Sequence, residues 1–299
     1  ELGDLLLSRE RSMGRDRTRV RSDLADIDVD GDLLPTRIWP ALQSVVFSVF
    51  PALRDEVDYE QAEQAFDLEV RTKDTRALFD LFAPGLTLSE NTVFNGRFDS
   101  RTFDIALSGI APFVEWDGVS VDSLRFSLDK TMDVLAFAVE GHRGSLSPGT
   151  FVNGVFLSGK AYQDEVDLRL GWTGSSHGTS GDLRMNGVVH GPERFEVDLL
   201  PSDLFLGRGN WRNERTASFL VDSSSVRIKG LHLANGAQQV RVEGEINEDP
   251  TIALAFELQG LRLENLRPWL DGPGLHGSVS GQGRAFDPYG APYVLSELR

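Results

Sequence analysis

Apolar residues occupy alternate positions through most of the chain from about Glu69 onwards. The clearest runs are Phe103/Ile105/Leu107, Leu124/Phe126/Leu128, Leu135/Phe137/Val139, Val166/Leu168/Leu170, Phe195/Val197/Leu199, Val240/Val242 and Ile252/Leu254/Phe256/Leu258. The residues between them are mostly Asp, Arg, Glu, Ser and Lys. Because successive side chains of a β-strand point to opposite faces, a period of two separates the two sets of residues. The pattern therefore predicts a long sheet with one apolar face and one polar face.

Turn-forming pairs punctuate these runs at short intervals, for example at residues 117–118 and 235–236. Connections this short favour antiparallel pairing, since parallel strands need long crossovers. The spacing predicts about fifteen strands, and an open twisted sheet of that size tends to curl. The apolar phase changes from even to odd numbers between Ile228 and Leu231, which predicts a β-bulge at Gly230.

Three segments interrupt the alternation and predict short apolar helices: Pro40 to Phe50, Thr75 to Ala83 and Leu263 to Leu270. In the first, Pro40 suits a first helical turn and Pro51 stops the helix. At about ten residues this helix is too short to span a bilayer, so it needs an apolar surface to rest on. The segments divide the chain into residues 1–64 (strand and apolar helix), 65–262 (an elongated β-groove repeat) and 263–299 (a short helix and the next β segment).

Composition narrows the class of partner. The chain has 46 acidic and 30 basic residues, a net charge of −16, which repels phosphate backbones and argues against nucleic acid as a partner. It contains no cysteine, so no disulfide framework or thiolate metal site is expected. It begins with Glu1 and ends in strand-like sequence, and we expect it to be a piece of a longer protein.

No residue pattern points to catalysis. The five histidines show no metal-ligand spacing, and no serine-hydrolase elbow or zinc-protease motif is present. Asp26, Asp28 and Asp30 resemble the start of a calcium-binding loop, but Arg37 stands where the bidentate glutamate should be. We interpret this segment as a strand with an acidic outer face. The sequence therefore predicts a protein that is not an enzyme, with no catalytic, cofactor-binding or metal-binding residues.

Three interpretations of the apolar face are considered. It is the closed core of a structural or binding module, the outside of a membrane barrel, or an open groove that holds acyl chains, because contiguous exposed apolar surface marks an interaction site. A membrane barrel requires strands of about 9–11 residues and aromatic girdles, whereas most strands here are shorter and the phenylalanines are scattered along the face. A closed core and an open groove share one sequence pattern. The predicted groove-lining residues are Phe103, Ile105, Leu107, Phe126, Leu128, Phe137, Leu168, Leu170, Val197 and Phe256.

Three consecutive stretches, Val226 to Ile246, Ile252 to Leu270 and Gly277 to Phe286, resemble the repeating body of the TamB translocation and assembly module family in the AsmA-like superfamily. The shared elements are a strand ending in v-x-G-x-i, leucines spaced as L-x-x-L-x-x-x-L, and a glycine-rich strand. In this chain they are Val242 to Ile246, Leu263 with Leu266 and Leu270, and Leu275 to Gly283.

The resemblance implies a periplasmic β-sheet folded like a taco, whose hydrophobic groove carries phospholipid between the inner and outer membranes. It also implies an inner-membrane anchor outside these residues. A further implied region, at the C-terminus and absent here, would engage an outer-membrane assembly partner. The alternative is an extracellular or envelope β-repeat protein of structural or adhesin-like type, with a closed apolar core.

Overall fold

The computed structural model describes residues 4–12, 15–54, 63–76, 79–80, 83–147, 150–175, 178–206, 209–247, 249, 251–264, 276–286 and 293–299. The chain divides into two compact units, Glu1–Asp164 and Glu165–Arg299, called here the N-terminal unit and the C-terminal unit. Both are built from antiparallel strands, so the predicted mainly-β fold is confirmed. The three-part division at residues 64 and 262 stays a prediction.

Besides two 3₁₀-helices, at Pro35–Arg37 and Pro51–Leu53, the N-terminal unit contains ten strands and one complete α-helix in its described residues. They are β1 (Leu5–Ser12), β2 (Arg15–Ser22), β3 (Ala25–Asp32), α1 (Ile38–Val49), β4 (Ala65–Thr72), β5 (Leu86–Leu88), β6 (Val93–Asp99), β7 (Asp104–Trp116), β8 (Val119–Thr131), β9 (Val134–Ser147) and β10 (Thr150–Tyr162). Hydrogen-bonded neighbours run in the order β1–β2–β3–β4–β6–β7–β8–β9–β10, with the short β5 beside β7.

The C-terminal unit contains twelve strands in its described residues. They are β11 (Glu165–Trp172), β12 (Gly174–Ser175), β13 (Ser180–Gly191), β14 (Arg194–Leu199), β15 (Ser202–Leu206), β16 (Gly209–Asn213), β17 (Ala217–Val221), β18 (Ser225–Asn235), β19 (Gln238–Asn247), β20 (Ala253–Arg262), β21 (Ser278–Phe286) and β22 (Tyr293–Leu298). The main order is β11–β13–β14–β17–β18–β19–β20–β21–β22, and the β15–β16 hairpin bridges β13 and β18.

The described residues therefore hold 22 strands, and the predicted number of about fifteen is wrong. Alternation detects long strands such as β7 and β8, because it needs several residues to become visible. It misses β5 and β12, which have three and two residues.

The polar face is organised by ion pairs between neighbouring strands. Arg97 Nε lies 2.9 Å from Asp67 Oδ1, which links β6 to β4. In the C-terminal unit, Arg241 Nη1 lies 3.0 Å from Glu257 Oε2, which links β19 to β20. All four side chains are about half exposed or more, so solvent screens both pairs and their contribution to stability is small. These contacts keep the charged residues in water and leave the opposite face to the apolar set.

Of the three predicted short apolar helices, the structure gives one, α1, and this part of the fold prediction is corrected. In the second segment, residues 76 and 79–80 are helical, and bonds of helix type join Phe79 N to Thr75 O (3.0 Å) and Ala83 N to Phe79 O (2.8 Å), while residues 77–78 and 81–82 lie outside the described residues. The third prediction falls mainly on residues 265–270, which also lie outside them.

Two local predictions are confirmed by the strand register. Asp26, Asp28 and Asp30 lie in β3, which pairs with β2 and β4 along its length and so is an ordinary strand. In β18 the pairing with β19 shifts between Ile228 and Leu231. Gly230 lies inside that shift with φ of 71°, a left-handed conformation that side chains other than glycine rarely adopt.

Candidate functional site

The apolar face of the N-terminal unit consists of three rows that cross its strands, because directly paired residues of antiparallel strands share one face. Each row is named by one member and crosses β4, β6, β7, β8, β9 and β10. The Ile105 row is Phe66, Phe98, Ile105, Lys130, Leu135 and Ala161; the Leu128 row is Leu68, Gly96, Leu107, Leu128, Phe137 and Gly159; the Phe126 row is Val70, Phe94, Gly109, Phe126, Val139 and Leu157.

Burial differs sharply between these rows. In the Ile105 row, Phe98, Lys130 and Ala161 are 3%, 2% and 1% exposed. In the Leu128 row every residue is half-buried, and so is every residue of the Phe126 row except the buried Gly109. The Ile105 row is therefore mostly covered by protein, with Ile105 and Leu135 half-buried, and the described residues leave the other two rows partly open.

Helix α1 is part of this cover. Ala41 and Val45 on one side of the helix form a buried cluster with Val29, Phe66 and Phe98 of the sheet. The charge-free sequence of α1 explains why it packs there, since a helix that is apolar all round is stable only when much of it is buried. It begins at Ile38, two residues before the predicted start, and Pro40 is tolerated in its first turn.

Hydrogen bonds fasten both ends of α1 to the sheet. At the start, Gln64 Nε2 donates to Arg37 O over 3.1 Å, just before β4. At the end, the backbone N–H of Asp164 donates to Val49 O over 3.0 Å, just after β10. Asp164 Oδ1 also accepts from the backbone N–H of Ala52 over 2.9 Å. The helix thus joins the ends of two strands that are far apart in the sheet.

The helix and the sheet path are similar in length. Five strand spacings separate β4 from β10, which is about 24 Å across a flat sheet. The 12 residues of α1 rise about 18 Å, and the side chain of Gln64 with its hydrogen bond to Arg37 O spans part of the remaining distance. Helix α1 therefore lies along the apolar face of the N-terminal unit and connects residues next to β4 and β10.

Lys130 is a member of the apolar face that the sequence analysis missed. Its side chain is 2% exposed, and Nζ donates to the backbone carbonyl of Met132 in the turn that follows β8. The signal was available, because Lys130 continues the even-numbered phase of Leu124, Phe126 and Leu128. Lysine usually lies on a polar face, so its residue type predicts the wrong face for this position.

Aromatic rings on the apolar faces lie over glycines of the neighbouring strand. A Cβ atom added to Gly109 would lie 2.4 Å from Phe126 Cε1, and one added to Gly283 would lie 2.3 Å from Phe256 Cζ. The rings fill the space that a side chain would occupy and cover the exposed backbone. At these two positions the apolar surface is therefore formed by the ring of the neighbouring strand, and the glycine leaves room for it.

The C-terminal unit carries its own apolar face. The Val197 row crosses nine strands of this unit and comprises Val166, Gly187, Val197, Phe219, Ile228, Gly244, Leu254, Ala285 and Val294. In neighbouring rows, Leu168 pairs with Met185, and Phe256 pairs with Val242 and Gly283. Leu168, Leu170, Val197 and Phe256 are all half-buried.

The ten predicted lining residues are all half-buried in the structure. Nine lie in strands, but Phe103 lies in the turn before β7 with φ of 55°, because the chain reverses between Asp99 and Asp104. Phe103 and Ile105 pack against the cluster beneath α1, so they lie at the covered side of the face. Leu107, Phe126, Leu128 and Phe137 belong to the open rows.

The pKa shifts of Asp182 and Asp99 come from ion pairs with arginine. Arg169 donates two hydrogen bonds to Asp182 across the polar face, 2.8 and 2.7 Å long, and holds the pKa of that carboxyl below its usual value. Arg101 lowers the pKa of Asp99 in the same way. Within the described ranges, no three His, Asp or Glu side chains gather to hold a metal ion. The described residues form apolar contacts on one face of the sheet and solvated ion pairs on the other.

No protein-family model, curated protein or solved structure matches the chain. None of the helices in the described residues has the length and apolar character needed to cross a membrane. The candidate site is therefore defined by the strand register, the burial of each row and the contacts of α1.

Proposed function

We propose that the protein binds the acyl chains of phospholipids along its apolar faces and carries lipid between membranes without catalysing a reaction. The observation that carries this proposal is the half-burial of the Leu128 and Phe126 rows beside an Ile105 row in which four of the six residues are buried. A closed core would bury all three rows, whereas a contiguous exposed apolar patch on a folded protein marks a binding surface.

The size of the face suits a hydrocarbon chain. A row that crosses the strands from β4 to β10 is about 24 Å long, and one lipid leaflet contributes roughly 15 Å of the hydrocarbon core of a bilayer. Each methylene removed from water contributes about 0.8 kcal/mol, so ten methylenes contribute about 8 kcal/mol before the cost of ordering the chain. Dispersed apolar contacts are therefore sufficient for binding.

The rest of the proposal follows the TamB and AsmA-like resemblance of residues 226–286. The protein would act in the periplasm as part of a curled, taco-like groove between the inner and outer membranes. An inner-membrane anchor and a region that engages an outer-membrane assembly partner would lie in other parts of the full protein. The mainly-β fold and the partly open apolar rows of the N-terminal unit support this proposal.

The test is to extract lipid from the purified protein and quantify it by mass spectrometry. Leu128→Asp places a charge on the open face, and Ser127→Asp places the same charge on the neighbouring position of the polar face. A charge facing hydrocarbon costs several kcal/mol, so we expect at least a tenfold loss of bound lipid in Leu128→Asp and none in Ser127→Asp.

Thermal unfolding establishes that both variants are folded. A folded Leu128→Asp variant that retains the wild-type amount of lipid would contradict the proposal. So would a wild-type protein that binds no phospholipid, which is the result expected for a structural or adhesin-like β-repeat protein with a closed core.

A further inference from the structure

Trp211, in β16, buries an indole N–H group that has no acceptor. Its side chain is 2% exposed, and among the described residues Nε1 has no hydrogen-bond partner. A buried donor without an acceptor has lost its hydrogen bonds to water and gained none in exchange, so folded proteins rarely contain one. This N–H group is therefore a candidate contact for an acceptor atom that the chain itself does not supply.

The strand register places Trp211 on the apolar face of the C-terminal unit. Trp172, Gly181, Leu204 and Trp211 pair in turn across β11, β13, β15 and β16, and we call these four residues the Trp172 row. Because Trp172 follows Leu170 at an alternate position of β11, the row lies on the face of the predicted lining residues. Its first three members are half-buried, whereas Trp211 is buried. The row thus leads from a partly open apolar surface to a buried donor.

A second donor lies beside the indole, next to Gly209. A Cβ atom added to Gly209 would lie 3.3 Å from Trp211 Nε1 and would clash with Asn235 Nδ2. Both nitrogens therefore border the space that the absent side chain of Gly209 leaves free. Gly209 is itself buried, and Asn235, at the end of β18, is half-buried. The end of the Trp172 row thus offers two uncharged N–H donors within one small region.

These donors suit a carbonyl oxygen better than water or phosphate. A carbonyl oxygen has two lone pairs and no hydrogen, so it can accept from both nitrogens, whereas a water molecule would also need acceptors for its own hydrogens. Trp211 and Asn235 carry no charge, and a phosphate oxygen buried without a cation is costly. In a phospholipid the uncharged acceptors next to the hydrocarbon are the ester carbonyls.

We propose that Trp211 and Asn235 form a polar subsite that binds the ester carbonyl oxygen of a phospholipid whose acyl chain lies on the apolar face of the C-terminal unit. This inference rests on the proposed function and adds to it a contact that distinguishes an acyl ester from plain hydrocarbon. The half-buried part of the Trp172 row crosses two strand spacings, about 10 Å, and contacts the part of the chain next to the ester.

A competition between an ester and an ether phospholipid tests the subsite. Diacyl phosphatidylcholine has the carbonyl oxygens, and the dialkyl ether lipid with the same headgroup and the same chain length lacks them. The protein is loaded from vesicles that contain both lipids in equal amounts, separated from the vesicles by gel filtration, and its bound lipid is quantified by mass spectrometry. One hydrogen bond corresponds to roughly a fivefold difference in affinity, so we expect about five times more ester than ether lipid on the wild-type protein.

Two tryptophan variants assign this preference to one indole. Trp211→Phe removes the N–H group and keeps an aromatic ring, so we expect it to bind less ester lipid, the same amount of ether lipid, and hence to lose the preference. Trp172→Phe is the matched control in the same row, because Trp172 Nε1 already donates to Thr179 Oγ1 over 3.2 Å. It should keep the preference. Thermal unfolding establishes that both variants are folded.

The indole N–H resonances of the wild-type protein give a second readout. The chain contains five tryptophans, and the spectra of Trp211→Phe and Trp172→Phe identify the signals of those two residues. We expect the Trp211 proton signal to move to lower field with the ester lipid and to stay in place with the ether lipid. The Trp172 signal should not distinguish between the two lipids.

Several outcomes would overturn the subsite while the proposed function survives. These are equal binding of ester and ether lipid by the wild-type protein, an unchanged preference in Trp211→Phe, and an equal loss of both lipids in that variant, which would show that the indole only packs against the chain. If the wild-type protein binds neither lipid, the proposed function fails together with the subsite.

Discussion

The backbone N–H of Asp164 donates a hydrogen bond to the carbonyl oxygen of Val49, the last residue of α1, over 3.0 Å. Asp164 Oδ1 accepts a second bond from the N–H of Ala52 over 2.9 Å. Asp164, two residues after the end of β10, therefore holds the end of a helix that starts beside β4. This connection holds the end of α1 at the apolar face.

We expect Asp164→Gly to lower the free energy of unfolding of the N-terminal unit by about 1–2 kcal/mol, because the Ala52 N–H loses its acceptor. Glycine suits the positive φ of 67° at this position, so the loss reports the hydrogen bond and not backbone strain. Urea unfolding and hydrogen exchange of the α1 amides measure the effect. The control is Asp164→Asn, which keeps an oxygen acceptor and tolerates this backbone conformation. Equal stability of the two variants would show that the side-chain bond does not hold α1.

The glycine beneath Phe256 gives a second prediction. Gly283→Ala would place Cβ 2.3 Å from Phe256 Cζ and 2.9 Å from the backbone oxygen of Leu295, so the ring must move. We expect a loss of about 1–3 kcal/mol in thermal or urea unfolding, which is typical of overpacking. Gly191→Ala is the control, since no atom lies within 4 Å of its added Cβ.

A double substitution separates ring displacement from other effects of the methyl group. Gly283→Ala combined with Phe256→Leu should recover part of the lost stability, because the smaller side chain frees the space over β21. No recovery, together with a normal Gly191→Ala protein, would show that the contact with the ring is not the cause.

The bidentate pair between Arg169 and Asp182 predicts a small acid dependence of stability. The pKa of Asp182 is lower in the folded protein than in the unfolded chain, so the folded state gains stability from this pair above the ordinary aspartate pKa. That gain is lost as the pH falls through the lowered pKa and does not change between pH 5 and 8. Because the side chains are 54% and 39% exposed, the contribution is about 0.5 kcal/mol.

Asp182→Asn tests this by urea unfolding between pH 2 and 8. The variant should be slightly less stable than the wild type at neutral pH, and the two should converge in acid. A difference that persists at pH 2 would assign the effect of Asp182 to packing and not to its charge. Asp203→Asn serves as the control, since its contact with Arg212 is long, at 3.6 Å, and both side chains are about 60% exposed.

The sheet and its two faces could be predicted from the sequence because strand geometry enforces a period of two. Leu107, Leu128 and Phe137 alternate within their strands, and the register places them side by side. Gly230 could be located for the same reason, as the phase changes there. Strand alternation and bulges depend on residues that are close in sequence, so they can be predicted from a single sequence.

Contacts between residues that are far apart in the sequence could not be predicted in this way. The sequence predicts an apolar helix after β3, but no local signal shows that its end meets Asp164 beyond β10. Phe103 continues an alternating pattern and yet lies in a turn, because the hairpin that joins β6 to β7 reverses one residue later than the pattern suggests. Alternation also cannot distinguish a covered row from an open one, since both need the same residue types.

The central claim is that the open rows bind hydrocarbon, and photo-crosslinking with a diazirine-bearing acyl phospholipid tests it most directly. Peptide mass spectrometry then maps the labelled residues on the loaded, vesicle-free protein. The proposal predicts that labels concentrate on apolar-face positions such as Leu107, Leu128 and Phe137, and that polar-face neighbours such as Ser127 remain unlabelled. Equal labelling of the two faces, or no labelling of the open rows, would contradict it.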